Sequence, residues 1–228
     1  MSQATVLKLV DSLPFSVEED YSLLSSGDRP HSLHSIVAQP RQMNPDLAGH
    51  LINSYSKKDD VLLDPFCGTG TIALEACLRG RKVYASDASE LQSLVTAAKL
   101  APADIAEVTL KLQMMGLERP VSTESYQDYF APFFDLDTFR ELSNLRRSVS
   151  AAEDRVSRYI LTLGLGLLHG HSGGYFSAYT SPKVSLLPEE QVSLNAERSQ
   201  YPDYRSIIPR IIKRGAGMCG EGFAFVLQ

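Results

Sequence analysis

The chain contains no tryptophan and only three cysteines in 228 residues. An odd number of cysteines without paired metal-type spacing excludes a disulfide framework and points to a reducing compartment, with the cytoplasm as the expected location. No apolar run approaches the roughly 20 residues that cross a bilayer, so no membrane association is expected. The start, Met1-Ser-Gln-Ala-Thr-Val-Leu-Lys-Leu-Val, lacks the charged opening and long apolar core of a secretory signal. Charge of one sign does not dominate either: 22 basic residues face 27 acidic ones, for a net charge of −5. That balance is not the footprint of a strong nucleic-acid binder. Internal repeats and low-complexity tracts are missing as well. With 43% hydrophobic and 21% charged residues, the chain has the composition of an ordinary globular protein.

Residues 61 to 71, Val-Leu-Leu-Asp-Pro-Phe-Cys-Gly-Thr-Gly-Thr, are the most informative stretch present. An apolar run ends in an acid, passes through Gly68 and Gly70, and enters a run with helical periodicity. A strand, a tight turn and a helix in this order bring main-chain N–H groups up to a nucleotide-like ligand. Glycines at 68 and 70 tolerate unusual dihedrals and let a ligand approach the backbone. Thr71 is expected to cap a helix from Ile72 to about Gly80. A second apolar run, Lys82-Val-Tyr-Ala-Ser-Asp87, ends in an acid 19 residues after Gly68, close to the spacing at which a carboxylate receives a ribose hydroxyl pair.

The string Asp64-Pro65-Phe66-Cys67-Gly68-Thr69-Gly70-Thr71 resembles the cofactor loop of S-adenosylmethionine-dependent amino-methyltransferases. Upstream, Asn44 to Ile52 is similar to the helix that covers the methionine end of the cofactor in that family. Downstream, Asp87 with Ala97 to Pro102, and the Phe133 to Arg147 pattern, resemble the DNA N4-cytosine and N6-adenine methyltransferases. The resemblance implies a partial Rossmann-like α/β methyltransferase sheet with S-adenosylmethionine as cofactor. It implies contacts to the methionine portion from Asp64, Phe66 and the amides of Gly68 to Gly70, with Pro65, Cys67, Thr69 and Thr71 completing the loop and Asp87 on the ribose. The elementary chemistry agrees: the cofactor's ammonium suits a carboxylate, and its carboxylate suits amide donors at a helix N-terminus. Cys67 reads as a small packing residue, having no basic neighbour to activate it.

Members of that family carry an Asp/Asn/Ser-Pro-Pro-aromatic tetrapeptide, and no Pro-Pro pair occurs here. The final residues, Phe223 to Gln228, read as the beginning of a third strand. The expectation is therefore a cofactor-binding half that a second polypeptide must complete. No catalytic residue is assigned in this chain, DNA binding by it is expected to be weak, and an unpaired sheet edge favours self-association. Two alternatives stay open. One is an RNA guanine-N2 methyltransferase, whose similar loop is followed by Glu-Ala as Glu75-Ala76 follows here. The other is a non-catalytic cofactor-binding partner or truncated product.

Residues 1–30 read as an N-terminal extension and 31–228 as the methyltransferase-like domain, with a long helical insertion at about 103–215. Asn44 is expected to cap a helix opened by Pro45. Strands at 60–64 and 82–86 and helices at 71–80 and 89–100 make a βαβα unit. A single helical stretch is expected from Pro188 to about Arg214, ended by Gly215 and Gly217. Arg140, Arg146, Arg147, Arg155 and Arg158, then Arg205, Arg210, Lys213 and Arg214, form two basic clusters. These are either solvated helix faces or phosphate contacts. Thr180-Ser181-Pro182-Lys183 is a poor tetrapeptide, because it lacks the ring that stacks a flipped base. His169 and His171 make a poor metal pair, while Tyr175, Phe176 and Tyr179 are candidates either for base stacking or for packing their loop.

Overall fold

A computed structural model describes residues 30–39, 42–150, 154–180 and 186–218. The proposed third strand, most of the N-terminal extension and Ser181 to Lys183 lie outside the described residues.

Asn44 behaves as its type dictates: its side chain accepts from the Asp46 amide at 2.8 Å, and α1 (Pro45–Tyr55) starts on proline. Strand β1 (Val61–Asp64) pairs in parallel with β2 (Lys82–Ala85), Leu63 lying beside Tyr84. Helix α2 (Thr71–Leu78) connects them and packs on α1 and on both strands. Its Ala73, Leu74 and Ala76 are wholly buried. Helix α3 (Glu90–Leu100) follows, capped by the Ser89 side chain. The result is a partial Rossmann-like unit: a two-stranded parallel sheet with helices against one face. Among the described residues the other face is bare. Val61, Leu63 and Tyr84 share it by strand alternation and register, and Leu63 and Tyr84 are 74% and 70% exposed.

Beyond α3 the described residues form helices: α4 (Ile105–Met114), a π-turn at Tyr126–Phe130, α5 (Leu136–Ser150), α6 (Arg155–Leu165), α7 (Pro188–Glu197) and α8 (Ile207–Met218). Helix α6 is the hub. It touches α3, α4, α5 and α8, and its Tyr159, Ile160 and Leu163 are fully buried. The stretch from Pro188 is two helices rather than one, broken at residues 198–206, where Ser199 takes a positive φ of 50°. Nor does Gly215 end a helix. A Cβ there would stand 3.1 Å from the Ile105 side chain, so the glycine serves close packing of α8 on α4. No helix among the described residues is long and apolar enough to cross a membrane.

One small turn, Ser32–Ser35, joins the sheet unit to the helical part. His34, 6% exposed, shares a hydrogen bond of 2.7 Å with Glu75 on α2, and Arg79 pairs with the other carboxylate oxygen. On the other side, Ser32 donates to the Met218 carbonyl at 3.1 Å, and Arg214 donates to the Ser35 carbonyl. The carboxylate pulls His34 toward its protonated form. Burial, aided by the positive charges of Lys99 and Arg79, pulls the other way and lowers the imidazole pKa to about 4. The folded protein thus holds the ring neutral, while the unfolded chain takes up a proton near pH 6.5. Between those values the unfolded state binds more protons, so this contribution to stability is complete above pH 6.5 and is lost as pH falls towards 4. Denaturant titrations should show stability dropping by about 1–3 kcal/mol across that window, and His34→Gln should flatten the slope. Identical slopes for both proteins would contradict the assignment.

Candidate cofactor cleft

Asp64 closes β1, and the chain turns sharply through residues 65 to 70 before α2. Gly68 and Gly70 have φ of 52° and 74°, in the left-handed region that favours glycine. Thr71 is the first residue of α2 rather than its cap, because the left-handed Gly70 holds that position and no side chain caps the helix. The first-turn amides of α2 therefore need an outside partner. A Cβ on Gly70 would stand 2.6 Å from Thr96 Oγ1, whereas one on Gly68 would meet nothing within 4 Å. Gly70 is thus fixed by packing, and Gly68 faces open space.

Asp87, at the end of β2, holds this loop from outside. One carboxylate oxygen accepts from the Gly68 amide and the other from the Ser89 amide, each at 2.9 Å. Those two donors keep its pKa below the ordinary carboxylate range. Thr96 on α3 donates to the Gly68 carbonyl at 3.1 Å, and Cys67 donates its amide to the Ser86 carbonyl at 3.0 Å.

A cleft of about 300 Å³ opens over the turn, at the small end of the range for ligand sites. Asp64, Phe66, Cys67, Gly68, Thr69 and Thr71 line it. Pro65, Gly70 and Asp87 stand outside the lining, Asp87 acting on the loop through its hydrogen bond to Gly68. Phe66 lies 86% exposed. Asp64 is 8% exposed; burial, reinforced by the Asp87 charge, raises its pKa against the opposing Phe66 amide. Its Oδ2 has no partner among the described residues. Burial also raises the Cys67 thiol pKa, as befits a packing residue.

The rest of the lining comes from residues that no motif marks: Gln39, Gln42, Met43, Ile72 and Gln92. Gln42 donates to the His34 carbonyl at 3.1 Å and to Thr71 Oγ1 at 3.4 Å. Gln92 donates to Gln39 Oε1 at 2.7 Å. No short motif marks these glutamines. Only the place of Gln92 in the first turn after the Asp87 corner hints at a role.

Several of the other candidates serve the framework, while Arg146, Arg147, Arg158 and Lys213 lie exposed. Phe176 is fully buried, Tyr179 lies under the Arg198 guanidinium at 3.7 Å, and His169 packs against Phe133 and Phe134. Arg140 pairs with Asp137 and Arg155 with Glu107. Arg205 donates to the Tyr175 and Ser177 carbonyls, and Arg210 to that of Gly173.

Residues 36–123, which hold the whole cleft, match the family model of the RMKL-like methyltransferase domain. The chain is 25% identical over 128 residues to the type II methyltransferase M.MjaII of Methanocaldococcus jannaschii, covering 55% of this chain and 24% of that protein. It is 49% identical over 60 residues to the tRNA (guanine(10)-N2)-dimethyltransferase of Methanothermobacter thermautotrophicus, covering 26% of this chain and 17% of that one. The chain thus spans about a quarter or less of the length of these curated relatives. No solved structure matches it significantly. Residues 36–123 are thus similar to a methyltransferase domain, and the cleft lies inside the matched stretch.

The tight approach at Gly70 has a measurable consequence. Gly70→Ala combines a left-handed residue with a Cβ pressed on Thr96, and should cost about 2 kcal/mol or more in urea unfolding. A loss below about 0.5 kcal/mol would show that the turn is not fixed as described.

Proposed function

We propose that the cleft binds S-adenosylmethionine and that the chain is the donor half of a methyltransferase acting on an exocyclic nitrogen of a nucleobase. The observation that carries this is the buried Oδ2 of Asp64, without a partner among the described residues, in a cleft whose described lining holds no lysine, arginine or histidine. An acid there favours a ligand with a cation. A dinucleotide would instead set its pyrophosphate beside Asp64 with no positive side chain to offset the repulsion.

The residues present fit the cofactor. Asp64 takes its ammonium, and the amides at the start of α2 take its carboxylate. Asp87 has spent two of its roughly four acceptor sites on Gly68 and Ser89, leaving the rest for ribose hydroxyls. Gly68, with open space where a Cβ would stand, admits the ligand against the main chain. When bound, the cofactor supplies an electrophilic methyl group on a sulfonium.

No Pro-Pro-aromatic string stands anywhere in the 228 residues to hold the accepting amine. Structure beyond these 228 residues supplies that part, and the exposed sheet face of Val61, Leu63 and Tyr84 is where it would pack. DNA is the substrate in this reading. The chain alone binds it weakly, because Arg205, Arg210 and Arg214 spend their donors on backbone carbonyls. The short, high-identity stretch shared with the tRNA dimethyltransferase favours a second reading, guanine-N2 methylation of RNA. The same cleft serves both.

Calorimetry should give a micromolar Kd for S-adenosylmethionine, about −8 kcal/mol, and Asp64→Asn should weaken it by about 1–3 kcal/mol. No heat at millimolar cofactor from a folded sample would overturn the assignment. In a tritiated-methyl assay with mixed DNA and RNA, the chain alone should show no transfer. Turnover that disappears in Asp64→Asn would prove the acceptor-holding part to be present already.

A further inference from the structure

Two side-chain oxygens on residues of the cleft lining are shut off from solvent with no hydrogen-bond partner among the described residues: Oδ2 of Asp64 and Oε1 of Gln92. Native proteins rarely leave such groups orphaned, so two orphaned acceptors on residues of one cleft lining point to donors from what fills it. The first is the acid already assigned to a cation. The second belongs to a residue that no motif marks.

We propose that Gln92 is a binding residue that reads the nucleoside portion of the ligand through its side-chain carbonyl, with Gln39 as its positioning residue. This rests on the adenosyl-cofactor reading of the cleft and extends it. The Gln92 amide nitrogen is spent on Gln39 Oε1 at 2.7 Å, which leaves the oxygen as the free end. Gln92 lies in the first turn of α3, where its own amide is held by Ser89 Oγ at 3.4 Å. The same turn is tied to Asp87, since Ser93 Oγ donates to the Asp87 carbonyl at 3.2 Å. Gln92 therefore approaches from the corner that carries the proposed ribose acid, while Asp64 approaches from the end of β1. The chemistry divides the same way. A carboxylate suits the ammonium, whereas an uncharged amide oxygen suits an uncharged donor, a hydroxyl or the exocyclic amine of the nucleoside. Gln39 lies upstream of α1, so the Gln39–Gln92 bond also closes the cleft wall.

The test is calorimetry on the full chain with two probes, S-adenosylhomocysteine and 5′-methylthioadenosine, the second lacking the amino-acid end. Gln92→Leu should weaken both by a similar factor, about tenfold, the worth of one hydrogen bond to a buried group. Asp64→Asn should weaken S-adenosylhomocysteine and spare 5′-methylthioadenosine. Gln39→Met should weaken both, and Gln39→Glu, which keeps an acceptor for the Gln92 nitrogen, should restore them. Melting temperatures establish that each variant is folded, and Gln92→Met replaces the leucine if that variant is not. Wild-type affinity in the folded Gln92 variant, or loss confined to S-adenosylhomocysteine, overturns the role of Gln92 while leaving the cofactor reading intact. Failure of the wild-type chain to bind either probe overturns both.

Discussion

The hydrogen bond from the Gly68 amide to Asp87 joins the ends of the two strands, and the geometry of the cleft depends on it. A loop with two left-handed glycines has little intrinsic order, because glycine loses more conformational freedom on folding than any other residue. Asp87 holds one side of that loop and Thr96 the other, through its bond to the Gly68 carbonyl and its contact with Gly70. β2 and α3 thereby set the shape of a loop that belongs to β1 and α2. Preorganisation of this kind keeps the entropy of ordering the loop from being charged against ligand binding.

Charge is distributed to the same end. Asp64 sits inside the cleft and Asp87 behind its loop, while Arg155, Arg205, Arg210 and Arg214 are drawn into the framework. Arg205 and Arg210 bind carbonyls of the 172–177 loop, Arg155 binds the Pro102 carbonyl and Glu107, and Arg214 binds the Ser32–Ser35 turn. Each satisfies backbone acceptors of irregular segments that have no secondary-structure partner. A guanidinium with several donors in a fixed plane suits that task better than a lysine ammonium.

Beside the apolar packing of α3 on α6, the Ser32–Ser35 link between the sheet unit and the helices rests on buried charge. Glu75 is flanked by His34 and Arg79, and Lys99 lies fully buried nearby, its pKa lowered to about 8 by burial. Replacing such clusters with apolar side chains often costs no stability. Their geometry is specific, however. His34 sets the position of its turn against α2, and Gln42 extends the connection from the His34 carbonyl to Thr71 at the rim of the cleft. The wall of the site is thus anchored in the same network that joins the two parts of the molecule.

Local rules made much of this legible in advance. The Asn44–Pro45 helix start, both strands, the glycine turn and the Asp87 corner depend on residues close in sequence and on dihedral preferences that each residue type carries with it. The break after Glu197, the passage of α8 through Gly215 and Gly217, and the placement of Gly70 at the cap position depend on contacts between distant segments. So does the role of the arginines, which composition alone cannot distinguish from a basic surface. The sequence by itself determined the βα turn, its acids and the class of ligand that suits them. Only the tertiary structure brought Gln39 beside Gln92, 53 positions apart, and left one amide oxygen of the cleft lining without a partner among the described residues. The physical reason is that a glutamine carries no fixed dihedral or charge signature, so its chemistry is decided by the neighbours that folding gives it.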